Sequence, residues 1–392
     1  MRAFEEIEAA LEDEEFQSAL SKASLGTQAK VEEVLRSRPE LLALAEEVRE
    51  IKRAAIARLD ELLEQAMNSL RAVRATPHLA ETAEEAREIV GKLIGRGKLV
   101  VLSKSMAAAE VGLRPYLEAM GNEVWETDLG ELLIQLEGTK PMHTITPAVH
   151  MSRRRAVELL EKAGAKVEGE SIESAVRAAR EFLRGKIVRA QAGITGANAL
   201  AADTGAIVTV ENESNVRLVS SLPPLHIALV PVDKVVPTLM DAIKVAMVQS
   251  AFAGLYPPTY INVISGPSST ADIERTRVYG AQGPVEQHVV FIDNGRTAAR
   301  KGALAEQLYC IRCGRCQYEC PVWIHTANRW GGPVYGGPMG LVWTAITYDA
   351  NEAAKLSFLC LGCGRCDEAC PVGIPLSRLI RELKAYAMRD LK

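Results

Sequence analysis

The sequence predicts an α/β protein with three parts: a helical N-terminal region, a mostly parallel sheet, and a small α-helical, cysteine-rich module. Three observations predict it. Apolar residues step by three or four before residue 97. Short β-rich runs alternate with helix-like stretches over residues 98–295. All eight cysteines fall in the last part, none before Cys310. The expected division is therefore 1–97, 98–295 and 296–392.

Size and composition agree with this. A chain of 392 residues corresponds to two or three domains. Apolar residues at 48% and charged residues at 24% are ordinary for a globular protein, so the core needs no covalent staples. Lys and Arg number 46 against 50 Asp and Glu, a net charge of −4, and aromatics make up only 5%. No nucleic-acid partner is expected from such a chain. No apolar run reaches the roughly 18–20 residues of a membrane helix, so no transmembrane segment is expected. The first residues are acidic and lack an apolar stretch, which predicts a cytoplasmic location.

In the N-terminal region, Leu41, Leu44, Val48, Ile51, Ala55, Leu59, Leu62, Ala66 and Leu70 lie on one face of a long helix starting near Pro39. Thr82 and Glu85 fit a capping box for a second helix, which runs to about Ile94 and closes at Gly95 and Gly97. In the middle region, strands are expected at 98–102, 123–127, 142–146, 187–189, 206–210, 216–219, 226–230, 260–264 and 288–292. Helices are expected at 107–119, 153–162 and 236–251. Ligands in such sheets sit beyond the carboxyl ends of the strands.

No G-x-G-x-x-G, Walker A or G-x-S-x-G motif is present. The candidate ligand loops are Gly193–Asn198 and Asp203–Gly205, where glycine turns offer backbone donors or simply join strands. Lys104 and Ser105 lie between a strand and a helix. Glu126, Asp128 and Glu131 cluster at another strand end, as acid–base groups or as helix caps. Lys104, Asp128, Glu131 and Thr195 are the catalytic candidates. His150 and His226 lie near apolar segments and read as core or surface residues.

Residues 294–302 read as a basic linker into the cysteine module. That module holds Cys310, Cys313, Cys316 and Cys320, then Cys360, Cys363, Cys366 and Cys370. Each set spells C-x2-C-x2-C-x3-C followed by proline, the ferredoxin run for [4Fe–4S] clusters. In two-cluster ferredoxins the fourth cysteine of each run ligates the other cluster. One cluster is therefore assigned Cys310, Cys313, Cys316 and Cys370, and the other Cys360, Cys363, Cys366 and Cys320. Disulfides do not suit a chain without a secretory signal, and structural zinc favours separated cysteine pairs.

Gly314, Gly362 and Gly364 let backbone N–H groups approach the sulfurs. Arg312 and Arg315 make the first loop the more positive, which predicts that its cluster is the easier to reduce. Gly331–Gly340 holds five glycines and two prolines and is expected to be irregular, either wrapping the clusters or offering a docking surface. Trp323, Trp330 and Trp343 flank it as packing residues.

Taken together, these phrases resemble one family. Ser103-Lys104-Ser105-Met106, Glu126–Glu131, Thr195–Asn198, Pro224–Ala228, Ser265-Gly266-Pro267 and Asp293–Arg296 look like the lactate-utilisation (LUD) domain. With the cysteine runs behind it, the whole resembles the lactate utilisation protein B family. The resemblance implies a sheet like those of the CoA-transferases and ribose-phosphate isomerase. It implies a role in a cytoplasmic complex oxidising L-lactate to pyruvate. The implied partners are a cysteine-rich iron–sulfur subunit, a small LUD-domain protein and, in related systems, a flavoprotein dehydrogenase. The sequence departs from the family pattern at Ala109-Glu110, at Gln282-Gly283-Pro284 and at Asp203.

Three functions stay open on these grounds. The first is an electron-transfer subunit relaying single electrons through two [4Fe–4S] clusters during oxidation of a 2-hydroxy acid. The second is an adaptor carrier joining another dehydrogenase or a heterodisulfide-reductase-like complex to a quinone or ferredoxin pool. The third is a self-sufficient LUD-domain enzyme. A one-electron carrier cannot itself remove a hydride, and the sequence shows no flavin or nicotinamide fingerprint.

Overall fold

A computed structural model describes residues 2–169 and 171–389. Its strands are β1 (Thr76–Ala80), β2 (Leu99–Leu102), β3 (Glu123–Glu126), β4 (Ala192–Thr195), β5 (Ala199–Ala201), β6 (Ile207–Glu211), β7 (Leu225–Pro231), β8 (Val235–Val236), β9 (Tyr260–Ile264), β10 (Ser269–Thr270), β11 (Val278–Tyr279) and β12 (Glu286–Ile292). Six of them form an all-parallel sheet in the order β1-β12-β7-β4-β2-β3. The mixed α/β class with a parallel sheet is as the sequence predicts.

Both faces of the sheet are covered, which is why β2, β7 and β12 are nearly continuous apolar runs. Ile227 and Leu229 of β7 and Val290 and Ile292 of β12 pack with Ala86 and Val90 of the helix Ala83–Ile94. The alternate residues Ala228, Val230, Val289 and Phe291 pack on the other face against Leu59, Leu62 and Leu70. At the β3 end, Val101 joins the helices Arg153–Lys162 and Ile172–Ile187. A second, four-stranded sheet in the order β8-β5-β6-β9 mixes parallel and antiparallel pairs, and β10 and β11 form a short antiparallel pair.

The strand order places the functional region. β2 is followed in sequence by β3 on one side, whereas β4 leads through the second sheet to β7 on the other. The switch point therefore lies between β2 and β4, where carboxyl ends diverge and leave a crevice.

Several elements differ from the sequence reading. The region before residue 97 is not all helical, because β1 pairs in parallel with β12 from Thr76 opposite His288 to Ala80 opposite Ile292. β1 carries Pro77 and no apolar alternation, which only an edge strand tolerates. The long helix is two helices, Glu40–Ala57 and Leu59–Ala72, meeting at Arg58. Its apolar stripe continues in phase through the break, with Ala55, Leu59 and Leu62 all buried, so periodicity could not reveal the bend. Thr82 caps Ala83–Ile94 through Glu85 N–H, but the Glu85 carboxylate accepts from Glu81 N–H, one residue earlier than the box requires.

Residues 142–146 are irregular rather than a strand, and 187–189 end a helix. The expected strand at 216–219 is part of the helix Asn215–Ser221. A short apolar run does not distinguish the two, and here Val219 packs directly on Gly193 of β4. The helix expected at 107–119 is broken at Gly112 into Met106–Glu110 and Leu113–Ala119.

The cysteine module is helical in short pieces and shares one core with the second sheet and the N-terminal helices. The helix Glu14–Ser37 lies along it, with Gln28 Nε2 donating to the Tyr318 carbonyl at 2.8 Å. Residues 294–302 are no free linker, since Arg296 is fully buried in ion pairs. The glycine-rich stretch is largely buried, and from Gly337 it begins the helix Gly337–Thr347, with Pro338 in the first turn where proline is tolerated. It wraps the cysteine cavities rather than offering an exposed surface. Trp323, Trp330 and Trp343 are fully buried around it. Among the described residues, no helix is long and apolar enough to cross a membrane.

Candidate electron-transfer site and adjoining cleft

Two cavities divide the eight cysteines. Cys310, Cys313, Cys316 and Cys370 line one, together with Met339 and Ile374. Cys320, Cys360, Cys363 and Cys366 line the other, together with Pro338 and Ser377. Each cavity thus takes three thiols from one run and the fourth from the other. Pro321 and Pro371 follow the exchanged cysteines and line the cavities their neighbours reach.

Backbone geometry prepares both sites. The residue before the second cysteine of each run has positive φ, +58° at Arg312 and +68° at Gly362. This turns the N–H of that residue onto the first sulfur, to Cys310 Sγ at 3.4 Å and to Cys360 Sγ at 3.4 Å. Ile374 N–H donates to Cys370 Sγ at 3.4 Å. Burial pushes the thiols up, Cys320 to about 11 and Cys313 and Cys316 further. Thiols this buried ionise only against a positive partner such as iron.

A [4Fe–4S] cluster passes this test of fit. No group of three or more His, Cys, Asp or Glu converges on a single ion among the described residues. Four sulfurs surrounding a cavity, each with its own position, suit a cubane with one thiolate per iron. They do not suit mononuclear zinc, whose ligands close on one point.

The two cavities differ in exposure. Cys310, Cys313 and Cys316 are buried, whereas Cys363 is exposed and Leu361 beside it is 71% exposed. Both arginines of the first run are paired: Arg312 is bound by Asp233 at 2.7 and 3.2 Å, and Arg315 pairs with Glu319 at 2.6 Å.

Asp233, just beyond β7, is the centre of a buried ion network. Its carboxylate accepts from Arg296 Nε at 2.6 Å and from Arg312, and these arginines hold it well below the usual range despite burial. Arg296 also grips Glu110 in a bidentate pair at 2.8 and 2.7 Å, and Tyr335 donates to Glu110 at 2.7 Å. Lys52 donates to the Asp233 carbonyl, and burial lowers its pKa to about 8. Trp343 lies against both guanidiniums, at 4.9 and 4.3 Å. This network ties the sheet to the cysteine module.

Between the β2–β4 switch point and the first cysteine cavity lies a cleft of about 370 Å³. Lys104 and Asp128 line it, just beyond the ends of β2 and β3. Glu131 is not in its wall but lies close to Asp128 and Lys104, and burial first, then Asp128, raises its pKa to about 7. Asp128 caps its own helix through Glu131 N–H at 3.0 Å. Thr195 is fully buried behind the wall, bonded to His226 Nε2 at 2.9 Å. Burial lowers His226 to about 4, so it is a neutral core residue. The Asp203–Gly205 turn packs on the helix Leu59–Ala72 and is not part of the cleft.

Sequence reasoning missed Glu213, Lys234, Gln249 and Thr144 in the wall. Lys234 follows a strand end, the one signal that could have found it. The 142–146 segment reaches the first cysteine run: His143, which burial holds neutral at about 3, faces the Gly314 carbonyl at 3.3 Å from Nε2. Its Nδ1 accepts from Ile145 and Thr146 N–H, which leaves the proton on Nε2.

Two family models match the chain. The LUD domain family matches residues 63–292, and the 4Fe-4S dicluster domain matches residues 306–374. A lactate utilization protein B from Bacillus pumilus is 34% identical over 336 residues, covering 84% of this chain and 69% of that protein. The protein of the same name from Geobacillus thermodenitrificans is 34% identical, over 73% of this chain. An Escherichia coli protein named as an uncharacterized electron transport protein is 31% identical over 72% of this chain. The chain spans 59% of the length of the Geobacillus relative. A DUF162 family protein from Deinococcus radiodurans, solved by crystallography, aligns at 17% identity and a TM-score of 0.34, over 60% of this chain and 98% of its own.

Proposed function

The chain belongs to the LUD-domain family, with a 4Fe-4S dicluster domain behind that domain, and we propose that it is an iron–sulfur electron-transfer subunit in the oxidation of L-lactate or a similar 2-hydroxy acid. The observation that carries this reading is the pair of four-cysteine cavities with their fourth ligands exchanged. Cys310, Cys313, Cys316 and Cys370 would hold one [4Fe–4S] cluster, and Cys360, Cys363, Cys366 and Cys320 the other. Each cluster supplies storage for one electron. The chain's own residues exclude water from the first cavity, aim N–H groups at the sulfurs and leave the second cavity open towards a partner. Removal of hydride from the acid belongs to another cofactor. The proposed partners are a cysteine-rich iron–sulfur subunit, a small LUD-domain protein and a flavoprotein dehydrogenase, in the cytoplasm.

The cleft favours a second reading, in which Lys104 and Asp128 in its wall serve a reaction within this chain, with Glu131 behind Asp128 and Thr195 buried away from it. One anaerobic experiment separates the two. The chain is isolated with its native partners, and L-lactate is added while the clusters are followed by EPR. Reduction only with partners present supports the relay. Reduction in the isolated chain supports the second reading, and no reduction in either case by lactate but reduction by another donor supports an adaptor carrier.

A further inference from the structure

The cleft and the first cysteine cavity share a wall. Arg312 lines both, and its backbone N–H is the one that meets Cys310 Sγ. The second run places glycine at the equivalent left-handed position, whereas the first holds an arginine there at φ +58°. A non-glycine side chain in that region is strained, so it persists where the surroundings hold it. Across the cleft, Asn198 Nδ2 donates to Gln249 Oε1 at 2.5 Å, and Gln249 Nε2 to the Arg312 carbonyl at 3.4 Å. Cleft and cavity are thus one connected structure.

The lining states what the cleft would hold. Ser103 Oγ, Thr144 Oγ1 and Arg312 Nε belong to residues of the cleft wall that are 1%, 2% and 3% exposed, and have no partner among the described residues. Buried polar atoms are ordinarily paired, so three unpaired ones within one wall favour a polar ligand there. Met106, Ile145 and Val210 supply apolar wall beside them. The charged lining balances, with Lys104, Lys234 and Arg312 against Asp128, Glu211 and Glu213. There is no positive surplus to draw a phosphate or a free carboxylate. The volume of about 370 Å³ is that of a small-molecule site.

A ligand that exchanges electrons with a one-electron centre must part with them singly, which a hydroxy acid cannot do and a quinone-like or flavin-like ring can. We propose that the cleft binds the planar, carbonyl-edged ring of a two-electron carrier, quinone or isoalloxazine, and passes its electrons to the first cluster past Arg312. This rests on the electron-transfer reading above. The dihydro ring gives up two electrons and two protons. One electron goes to each cluster, and the protons leave through Asp128 and Glu213 to water.

The test is equilibrium binding to the full chain under anaerobic conditions, with two probes. Lumiflavin is followed by its own fluorescence and menadiol by its absorbance, with cluster EPR recorded in parallel. Saturable binding of either probe, weakened at least tenfold by Ser103→Ala with Thr144→Val, is the expected result, and the probe that binds identifies the source. The variant's far-UV circular dichroism and cluster signals check that it is folded. Binding of neither probe, or binding of L-lactate alone, overturns the proposal. Because binding is read without the clusters, clusters that form and reduce beside an empty cleft would leave the electron-transfer reading standing.

Discussion

Replacing Asp233 by Asn should unfasten the sheet from the cysteine module. The carboxylate is fully buried and binds Arg296 at 2.6 Å and Arg312 at 2.7 Å. Arg296 keeps a second anion in Glu110, whereas Arg312, only 3% exposed, has no other carboxylate partner among the described residues. The variant therefore leaves one buried guanidinium uncompensated, with Lys52 close by. Breaking a buried pair from one side costs about 3–5 kcal/mol. That is a factor of more than a hundred in the folding equilibrium, at 1.4 kcal/mol per decade. The assay is anaerobic denaturant unfolding of the full chain, read by circular dichroism and by tryptophan fluorescence, since Trp343 lies against both arginines. Arg312→Leu combined with Asp233→Leu should recover part of the loss, because the charge is removed from both sides. A loss below about 1 kcal/mol in Asp233→Asn, or a double variant as unstable as the sum of the singles, would refute the reasoning.

Other outcomes follow from the same geometry. Cys370→Ser should abolish the cluster of the first cavity although it lies in the second run, and Cys320→Ser the converse; each should halve the bound iron and leave one EPR signal. Loss of the signal belonging to the substituted cysteine's own run would show that the fourth ligands are not exchanged. Glu131, raised to about 7, keeps its proton in the folded chain where the unfolded chain has lost it. Folding stability should therefore fall as pH rises from about 4.5 to about 7 and then level off. Glu131→Gln should flatten that slope in thermal unfolding between pH 5 and 8, and an unchanged slope assigns it to another group. Gly193→Ala would place a Cβ at 2.0 Å from the Val219 carbonyl oxygen, so β4 and the helix Asn215–Ser221 must separate. A fall of several degrees in Tm is expected, and an unaltered Tm would mean that this helix is not packed as described.

The sequence by itself determined what depends on local spacing. Two cysteine runs with their prolines define two four-thiol sites, because cluster ligation constrains neighbours three and four residues apart. The buried strands β2, β7 and β12 announce themselves as apolar runs, since a sheet covered on both faces needs no polar alternation, whereas β4 (Ala192–Thr195) reads as a glycine loop. Lys104 and Asp128 were legible as strand-end residues and do line the cleft. Tertiary structure decided the rest, because it turns on which distant residues meet. β1 is a strand only through its pairing with β12, more than 200 positions away. Thr195 looked accessible in its loop, yet its side chain turns back to His226. Arg296 and Arg312 read as solvated charges, and Asp233 had no motif at all. Only burial against one another makes them a network, since desolvated charges must find partners wherever the chain brings them.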